Sequence, residues 1–308
     1  LKWGDKRYRS LNYFLREKFG GKVMKISLDG GFSCPNRDGT ISNKGCIFCS
    51  ERGSGDFAGQ RCKAITDQFS EVVQIMDKKW KSDKYIAYFQ AFTNTYDTLE
   101  NLKAKYDEAV GIEGVVGLAI ATRPDCINED IAALLAEYNK KLYTWVELGF
   151  QTSDEETGKL INRGYDNVCY ENALKLLREY GIDTVTHIIL GLPGETKKDM
   201  LETVRYVNSF KMQGIKLHLL HLMKNTPMVR LYEKGGLTFL NEEEYIDIVT
   251  EAITMIDKDT VIHRLTGDAP RELLIGPMWS LKKWEILNAI DSRLEEADLW
   301  QGKALEIK

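Results

Sequence analysis

The chain has no apolar run long enough to cross a bilayer, and its opening, LKWGDKRYRS, lacks the apolar core of a signal peptide. Without an initiator Met, a few native residues are expected ahead of Leu1. With no export signal, a reducing cytoplasm is the expected compartment, where thiols stay free and disulfides are rare. No charge of one sign dominates. The 42 Lys and Arg against 46 Asp and Glu leave a net charge of −4, which gives no global case for a nucleic-acid partner. No Gly/Ser- or Pro-rich linker interrupts residues 1–222, and no low-complexity tract is present. Histidine is scarce, with four in 308 residues and none before His187. A second C-x2-C knuckle is also missing.

That last absence bears on the stretch from Leu28 to Cys49, LDGGFSCPNRDGTISNKGCIFC, which carries three of the six cysteines in the spacing C-x11-C-x2-C. Gly30, Gly31, Pro35, Asn36, Gly39 and Gly45 make it a loop. Thiolates are soft ligands that select zinc or iron–sulfur iron over magnesium or calcium. A structural zinc site wants four protein ligands. Cys34, Cys46 and Cys49 supply three, which suits a [4Fe–4S] cluster with one iron left for a small-molecule ligand. Cys62 as a fourth ligand keeps zinc, or a fully ligated cluster, as the competing reading.

Around this loop, short β-rich runs alternate with helical patterns. Candidate strands are Val23–Leu28, Tyr85–Gln90, Val115–Thr122, Leu142–Gly149, Val185–Leu190 and Ile215–Leu222. Helical segments fall near Ile65–Lys79, Leu99–Val110, Glu129–Tyr138, Tyr170–Tyr180 and Lys198–Phe210, with a short amphipathic helix at Ser10–Phe19 ahead of them. Strict alternation implies a parallel sheet with helical crossovers, an α/β fold. After Leu222 the alternation stops. Asn241 and Glu244 form a capping-box pair for a helix at Glu242–Ile256, followed by a strand-like Val261–Leu265 and a helix near Leu281–Leu294. The expected organisation is an N-terminal segment over 1–22, a partial (β/α)6 TIM-like barrel over 23–222 and a C-terminal α/β extension over 223–308.

In parallel α/β folds the chemistry gathers at the C-terminal strand ends. There this chain places the cysteine loop, Gln90–Tyr96, Ala121-Thr-Arg-Pro-Asp125, and Glu147-Leu-Gly-Phe-Gln151-Thr followed by Asn162-Arg163-Gly164-Tyr165. Gly191-Leu-Pro-Gly194-Glu-Thr follows the fifth strand. The sixth carries Lys216, His218 and His221, then Met223-Lys-Asn-Thr226. By the period of two, Glu147, Gly149 and Gln151 share one face. A satisfied polar pair inside the barrel is the plainer account of Glu147 and Gln151, and hydrogen-bonded core residues that of each histidine. Convergence of donor-rich groups on every strand end favours a site.

Cys34…Cys46-Ile-Phe-Cys49 resembles the cluster motif of radical S-adenosylmethionine (SAM) enzymes, in the wide-spaced form of the elongator catalytic subunit and coproporphyrinogen dehydrogenases. SLDGGFSCPNRDGT, GCIFCSERGSGDFAG, YFQAFTNTY, ATRPDC, ELGFQT, INRGY, HIILGLPGE and HRLTGDAP resemble, nearly end to end, the YhcC/YtqA type of radical SAM protein. The resemblance implies a cluster on Cys34, Cys46 and Cys49, with SAM bound across the strand ends. It implies Phe48 beside the adenine, with Ile189 to Leu192, including Gly191, packed on it, and Gln151 with Arg163 at the ribose and carboxylate. Thr122 and Glu147 would lie near the same cofactor. The family's Gly-Gly-Glu is replaced by Gln90–Thr95, which leaves Thr93 and Asn94 as candidates for the amino group. A cofactor of this kind yields a 5′-deoxyadenosyl radical that abstracts a hydrogen atom, and its one-electron reductant would be a flavodoxin or ferredoxin.

The resemblance implies tRNA as substrate, with the wobble uridine side chain carried from carboxymethylaminomethyluridine toward aminomethyluridine. Six basic residues between Arg205 and Gly235 (Arg205, Lys211, Lys216, Lys224, Arg230, Lys234) against Glu233 alone form a local net of five positive charges, able to attract phosphate or simply to be solvated. His218, His221 and Lys224 are candidates to act on the substrate, and His263 and Arg264 to bind it. The rival readings are a radical SAM enzyme acting on a small molecule and a non-catalytic, zinc-stabilised RNA-binding module.

Overall fold

The computed structural model describes residues 1–77 and 81–306. Its strands are β1 (Met24–Leu28), β2 (Tyr85–Phe89), β3 (Val115–Thr122), β4 (Tyr143–Gln151), β5 (Asp183–Leu190), β6 (Gly214–Leu219), β7 (Leu222–Met223), β8 (Val261–Arg264) and β9 (Leu274–Gly276). The helices are α1 (Leu11–Phe19), α2 (Ile65–Asp77), α3 (Leu99–Val110), α4 (Glu129–Asn139), α5 (Glu155–Leu160), α6 (Asn167–Glu179), α7 (Lys197–Ser209), α8 (Met228–Glu233), α9 (Glu242–Met255), α10 (Lys283–Glu296) and α11 (Lys303–Glu306). Of the helix expected at Ile65–Lys79, Lys78 and Lys79 lie outside the described residues.

Seven strands form one parallel sheet in the order β1-β2-β3-β4-β5-β6-β8, a half-barrel one strand wider than expected. The seventh strand comes from the stretch expected as an extension. β8 pairs Val261 with Gly214 and Arg264 with Lys216, and it brings His263 and Arg264 to the sheet. The sixth strand also stops earlier than its apolar pattern suggested. It ends at Leu219, and Leu222–Met223 turns away to pair antiparallel with β9.

Period-two alternation sorts each strand between two environments. Outward residues such as Ile26, Leu118, Val146, Phe150, Ile188 and Leu217 join the large core beneath the outer helices. Each such fully buried side chain contributes about 1.5–3 kcal/mol. Inward residues stack in layers, as in complete barrels. The lowest layer is apolar, with Ile86, Ala119, Trp145 and Val185 closed from below by Leu15, Leu11 and Phe14 of α1. Above it the inward side chains are charged or polar, with Glu147 on β4 and His187 of β5 in register beside Lys216 of β6. Ser10 accepts from Tyr13 N–H at the start of α1, and capping boxes at Thr196/Asp199 and Asn241/Glu244 fix the starts of α7 and α9.

Candidate active site

The cysteine loop follows β1 and is held by its own backbone. Cys34 O accepts from Arg37 N–H (2.8 Å) and Asp38 N–H (3.1 Å), and Cys46 O accepts from Cys49 N–H (3.1 Å). Two asparagines tie the loop to the end of β4's crossover. Asn36 Nδ2 donates to Asn162 O and Asn162 Nδ2 donates to Gly45 O, both at 2.7 Å. The Arg37 guanidinium donates to Cys49 O (2.9 Å) and Ser50 O (2.6 Å).

Cys34, Cys46 and Cys49 all line one cavity of about 600 Å³ at the C-terminal strand ends. Asn36 Nδ2 reaches Cys46 Sγ at 3.6 Å, and Ser54 Oγ lies 3.7 Å from Cys49 Sγ. Burial, then the neighbouring Cys49, pushes the Cys46 thiol up to about 12. Cys62 is exposed and does not line the cavity, so no fourth thiol completes a zinc set there. Among the described residues, no three His, Cys, Asp or Glu side chains gather around a single ion position. Three soft donors facing one cavity therefore suit a multi-iron cluster, in which each thiolate meets a different iron.

Below the thiols stands Glu147, with no exposed surface. Trp145 Nε1–H donates to its Oε1 (3.0 Å), His187 Nε2 lies 3.0 Å from its Oε2, Lys25 Nζ stands 3.5 Å from Oε1, and Lys216 donates to Oε2 and, at 3.2 Å, to Tyr88 Oη. Burial alone would raise this carboxyl, but Lys216 and Lys25, and then the His187 bond, hold it well below the usual carboxylate range. Burial pulls His187 and His221 down to about 4 and His218 and His263 well below their ordinary value, so all four imidazoles are neutral near pH 7.

The cavity gathers many of the residues expected from the sequence. Phe48, Thr93, Thr122, Glu147, Gln151, Ile189, His218, His221 and Arg264 line it. Six stand elsewhere. Arg163 is 1% exposed behind β4 and does not face the cavity. Its donors go to Tyr165 O, Phe150 O, Thr152 O, Glu155 and Asn167, so it braces the strand end and has no donor left for a cofactor carboxylate. Asn94 donates to Phe89 O and Ala121 O and stitches β2 to β3. Gly191 and Leu192 line a separate hollow beside Glu195 and Gly235. Lys224 donates to Glu272 O (2.9 Å) on the outside. His263 is buried against Trp145, its Nδ1 4.0 Å from Glu147.

Arg123 and Lys25 went unremarked as site residues in the sequence. Arg123 lines the cavity, held by Asp125 (2.9 and 2.7 Å) and Arg163 O (3.0 Å). Lys25 was detectable, because a lysine at an inward position of MKISL has only the lumen to face. Ser54, Phe92 and Gln151 line the cavity with φ of 65°, 62° and 68°, a left-handed backbone costing about 1–3 kcal/mol each that clusters at functional sites.

A half-barrel with three thiols at the strand ends, over a charged lumen closed from below by α1, is the arrangement of a cluster-bearing enzyme. The chain belongs to the radical SAM superfamily, whose model matches residues 38–207, and the Radical_SAM C-terminal domain matches residues 212–296. It is 52% identical to YtqA of Bacillus subtilis (strain 168) over 97% of this chain and 93% of that protein. A tRNA uridine(34) acetyltransferase of Methanocaldococcus infernus is 28% identical over 52% of this chain and 30% of its own length. Among solved structures, archaeal Methanocaldococcus infernus Elp3 with an N-terminal deletion superposes with a TM-score of 0.67 at 17% identity, covering 91% of this chain and 64% of that one. Enzymes of this superfamily use a [4Fe–4S] cluster and SAM. Among the described residues no helix is long and apolar enough to cross a membrane.

Proposed function

We propose that this enzyme modifies tRNA at the wobble uridine, carrying the carboxymethylaminomethyl side chain toward aminomethyl. The observation that carries the reading is the continuous cavity joining the three thiols to a lumen of fixed charges, of a size that holds small ligands. The similarity to a tRNA uridine(34) acetyltransferase over half the chain supports a uridine substrate.

When bound, the cluster and SAM supply one-electron cleavage of a C–S bond and a radical that abstracts hydrogen; a flavodoxin or ferredoxin is the proposed electron donor. The chain's own residues do the rest. Cys34, Cys46 and Cys49 hold the cluster at the strand ends. Gln151, fixed by Tyr165 Oη on its Oε1 (3.0 Å), and Thr93 and Thr122 offer polar contacts to the ribose and amino acid portion. Arg123 takes the carboxylate role first expected of Arg163, because it lines the cavity and keeps two N–H groups beyond those on Asp125 and Arg163 O. Phe48 and Ile189, packed on one apolar cluster with Leu192 and Leu220, form the adenine wall. Leu11, Phe14 and Leu15 of α1 close the lumen from below and keep water from entering at that end.

A small-molecule substrate is the second reading, favoured by the fate of the basic stretch from Arg205 to Lys234. Lys216 is buried on Glu147, Arg205 pairs with Glu202 at 3.1 Å and Lys224 bonds Glu272 O, so these six residues do not form one face. The deciding experiment is nucleoside analysis of tRNA incubated anaerobically with reconstituted enzyme, SAM and reductant. Loss of carboxymethylaminomethyluridine with gain of aminomethyluridine is expected. An unchanged nucleoside profile beside active SAM cleavage refutes the tRNA reading.

A further inference from the structure

Along its β6–β8 side, with Lys25 of β1 beside it, the cavity meets more positive charge than its own carboxylates balance. Lys25 and Lys216 face Glu147, while Arg264 Nη2 (3.3 Å) and Lys283 Nζ (2.7 Å) share Asp268 Oδ2. That is four cationic side chains for two carboxylates in one connected group, since Lys216 and Arg264 are register partners on adjacent strands. Burial and the mutual repulsion of Lys25, Lys216 and Arg264 pull the two lysines down from their ordinary range, with Glu147 opposing. The imidazoles are neutral and add no further charge.

Two of those imidazoles are also unfulfilled. His218 and His221 line the cavity, and the Nε2 atom of each is buried without a hydrogen-bond partner. Buried polar atoms in native proteins are nearly always paired, so each nitrogen calls for a partner that the protein itself does not supply. Arg264 and Lys283 line the same cavity and keep about a third of their side chains exposed, 31% and 33%. The fork of Arg264 suits a two-oxygen anion, and a neutral imidazole protonated at Nε2 is a donor to the same group.

We propose that this end of the cavity is an anion subsite, in which Arg264 and Lys283 receive a substrate carboxylate or phosphate and His218 and His221 donate to it. Carboxylate and phosphate share this chemistry but differ in source. On the uridine reading of the preceding subsection, the carboxylate is that of the carboxymethyl group, and the phosphate is that of the RNA backbone. An anion here reduces the excess of positive charge and pairs the orphaned nitrogens in one step.

The test is calorimetric titration of the cluster-bearing, SAM-loaded protein under anaerobic conditions. The probes are 5-carboxymethylaminomethyluridine, its methyl ester, uridine, uridine 5′-monophosphate and inorganic phosphate. Two charge-assisted hydrogen bonds predict at least about a tenfold preference for the acid over its ester. Arg264→Gln removes that preference and Lys283→Gln reduces it, while both variants keep the wild-type affinity for SAM. A preference for the monophosphate over uridine, with acid and ester bound alike, assigns the subsite to phosphate. Phosphate binding that depends on Arg264, with no nucleoside bound, keeps the subsite and refutes the uridine reading. Failure of every anion to bind better than its uncharged counterpart overturns the proposal, as does a preference that survives both substitutions.

Discussion

Replacing Glu147 with Ala removes the one carboxylate that Lys216, Lys25, Trp145 and His187 all address. Its side chain has no exposed surface, so its partners are largely desolvated around it. Breaking a buried ion pair from one side costs about 3–5 kcal/mol, mostly because the partner charge stays buried. At about 2 °C per kcal/mol for a chain of this size, Tm falls by roughly 6–10 °C. The Glu147 carboxyl is depressed in the folded state, so its contribution is present above the unfolded carboxylate range and is lost as pH falls through the folded value. Glu147 stays ionised from pH 6 to pH 8, so its own titration adds no pH dependence to the deficit across that range. The double variant Glu147→Leu/Lys216→Met removes both buried charges and recovers most of the stability, because Lys25 keeps a fifth of its side chain exposed, 20%, and can turn toward water. Urea unfolding of wild type and the two variants, anaerobic and cluster-bearing, measures this. A Glu147→Ala cost below about 1 kcal/mol, or a double variant no better than the single, refutes the reasoning.

Two further outcomes follow from the same packing. Arg163→Met leaves the Phe150, Thr152 and Tyr165 carbonyls without their donor and costs about 3 kcal/mol in urea unfolding. Its SAM affinity by equilibrium dialysis falls less than that of Gln151→Ala, and the opposite order contradicts the bracing role. Burial raises the Glu195 carboxyl to about 7, against a bond from Thr152. The folded state thus binds that proton more tightly, and stability from it is present below the unfolded value near 4.5 and is lost as pH rises through about 7. Glu195→Gln should melt with wild type at pH 5 and gain about 1–2 kcal/mol at pH 8, reduced from the full shift because the group is partly exposed. Equal melting at both pH values contradicts it.

Much of the barrel was legible because both of its periods are written plainly in the chain. The bounds of Val115–Thr122 are as expected, and the crossover helices lie within a few residues of their patterns. The cysteine loop was legible for a chemical reason, since three thiols in a glycine-rich loop after a strand have few other uses. β8 was read as a strand, but its place beside β6 depends on α9 folding back across the sheet, which no local pattern encodes. Arg163 was misplaced for a related reason. Its sequence position after the fourth strand fits a ligand contact, but the turn through α5 aims its guanidinium at the carbonyls of its own strand end. The charged layer was half visible. Glu147 and Lys216 stood out singly, but their contact joins residues 69 apart in sequence across the sheet.

The most direct test of the central claim is anaerobic reconstitution with iron and sulfide, reduction with dithionite, and assay of 5′-deoxyadenosine from SAM with tRNA present. The wild type is expected to carry a cluster and form 5′-deoxyadenosine, Cys46→Ala to lose both, and Cys62→Ala to keep both. Iron-free, zinc-bearing wild-type protein, or loss of the cluster in Cys62→Ala, would contradict the three-thiol site.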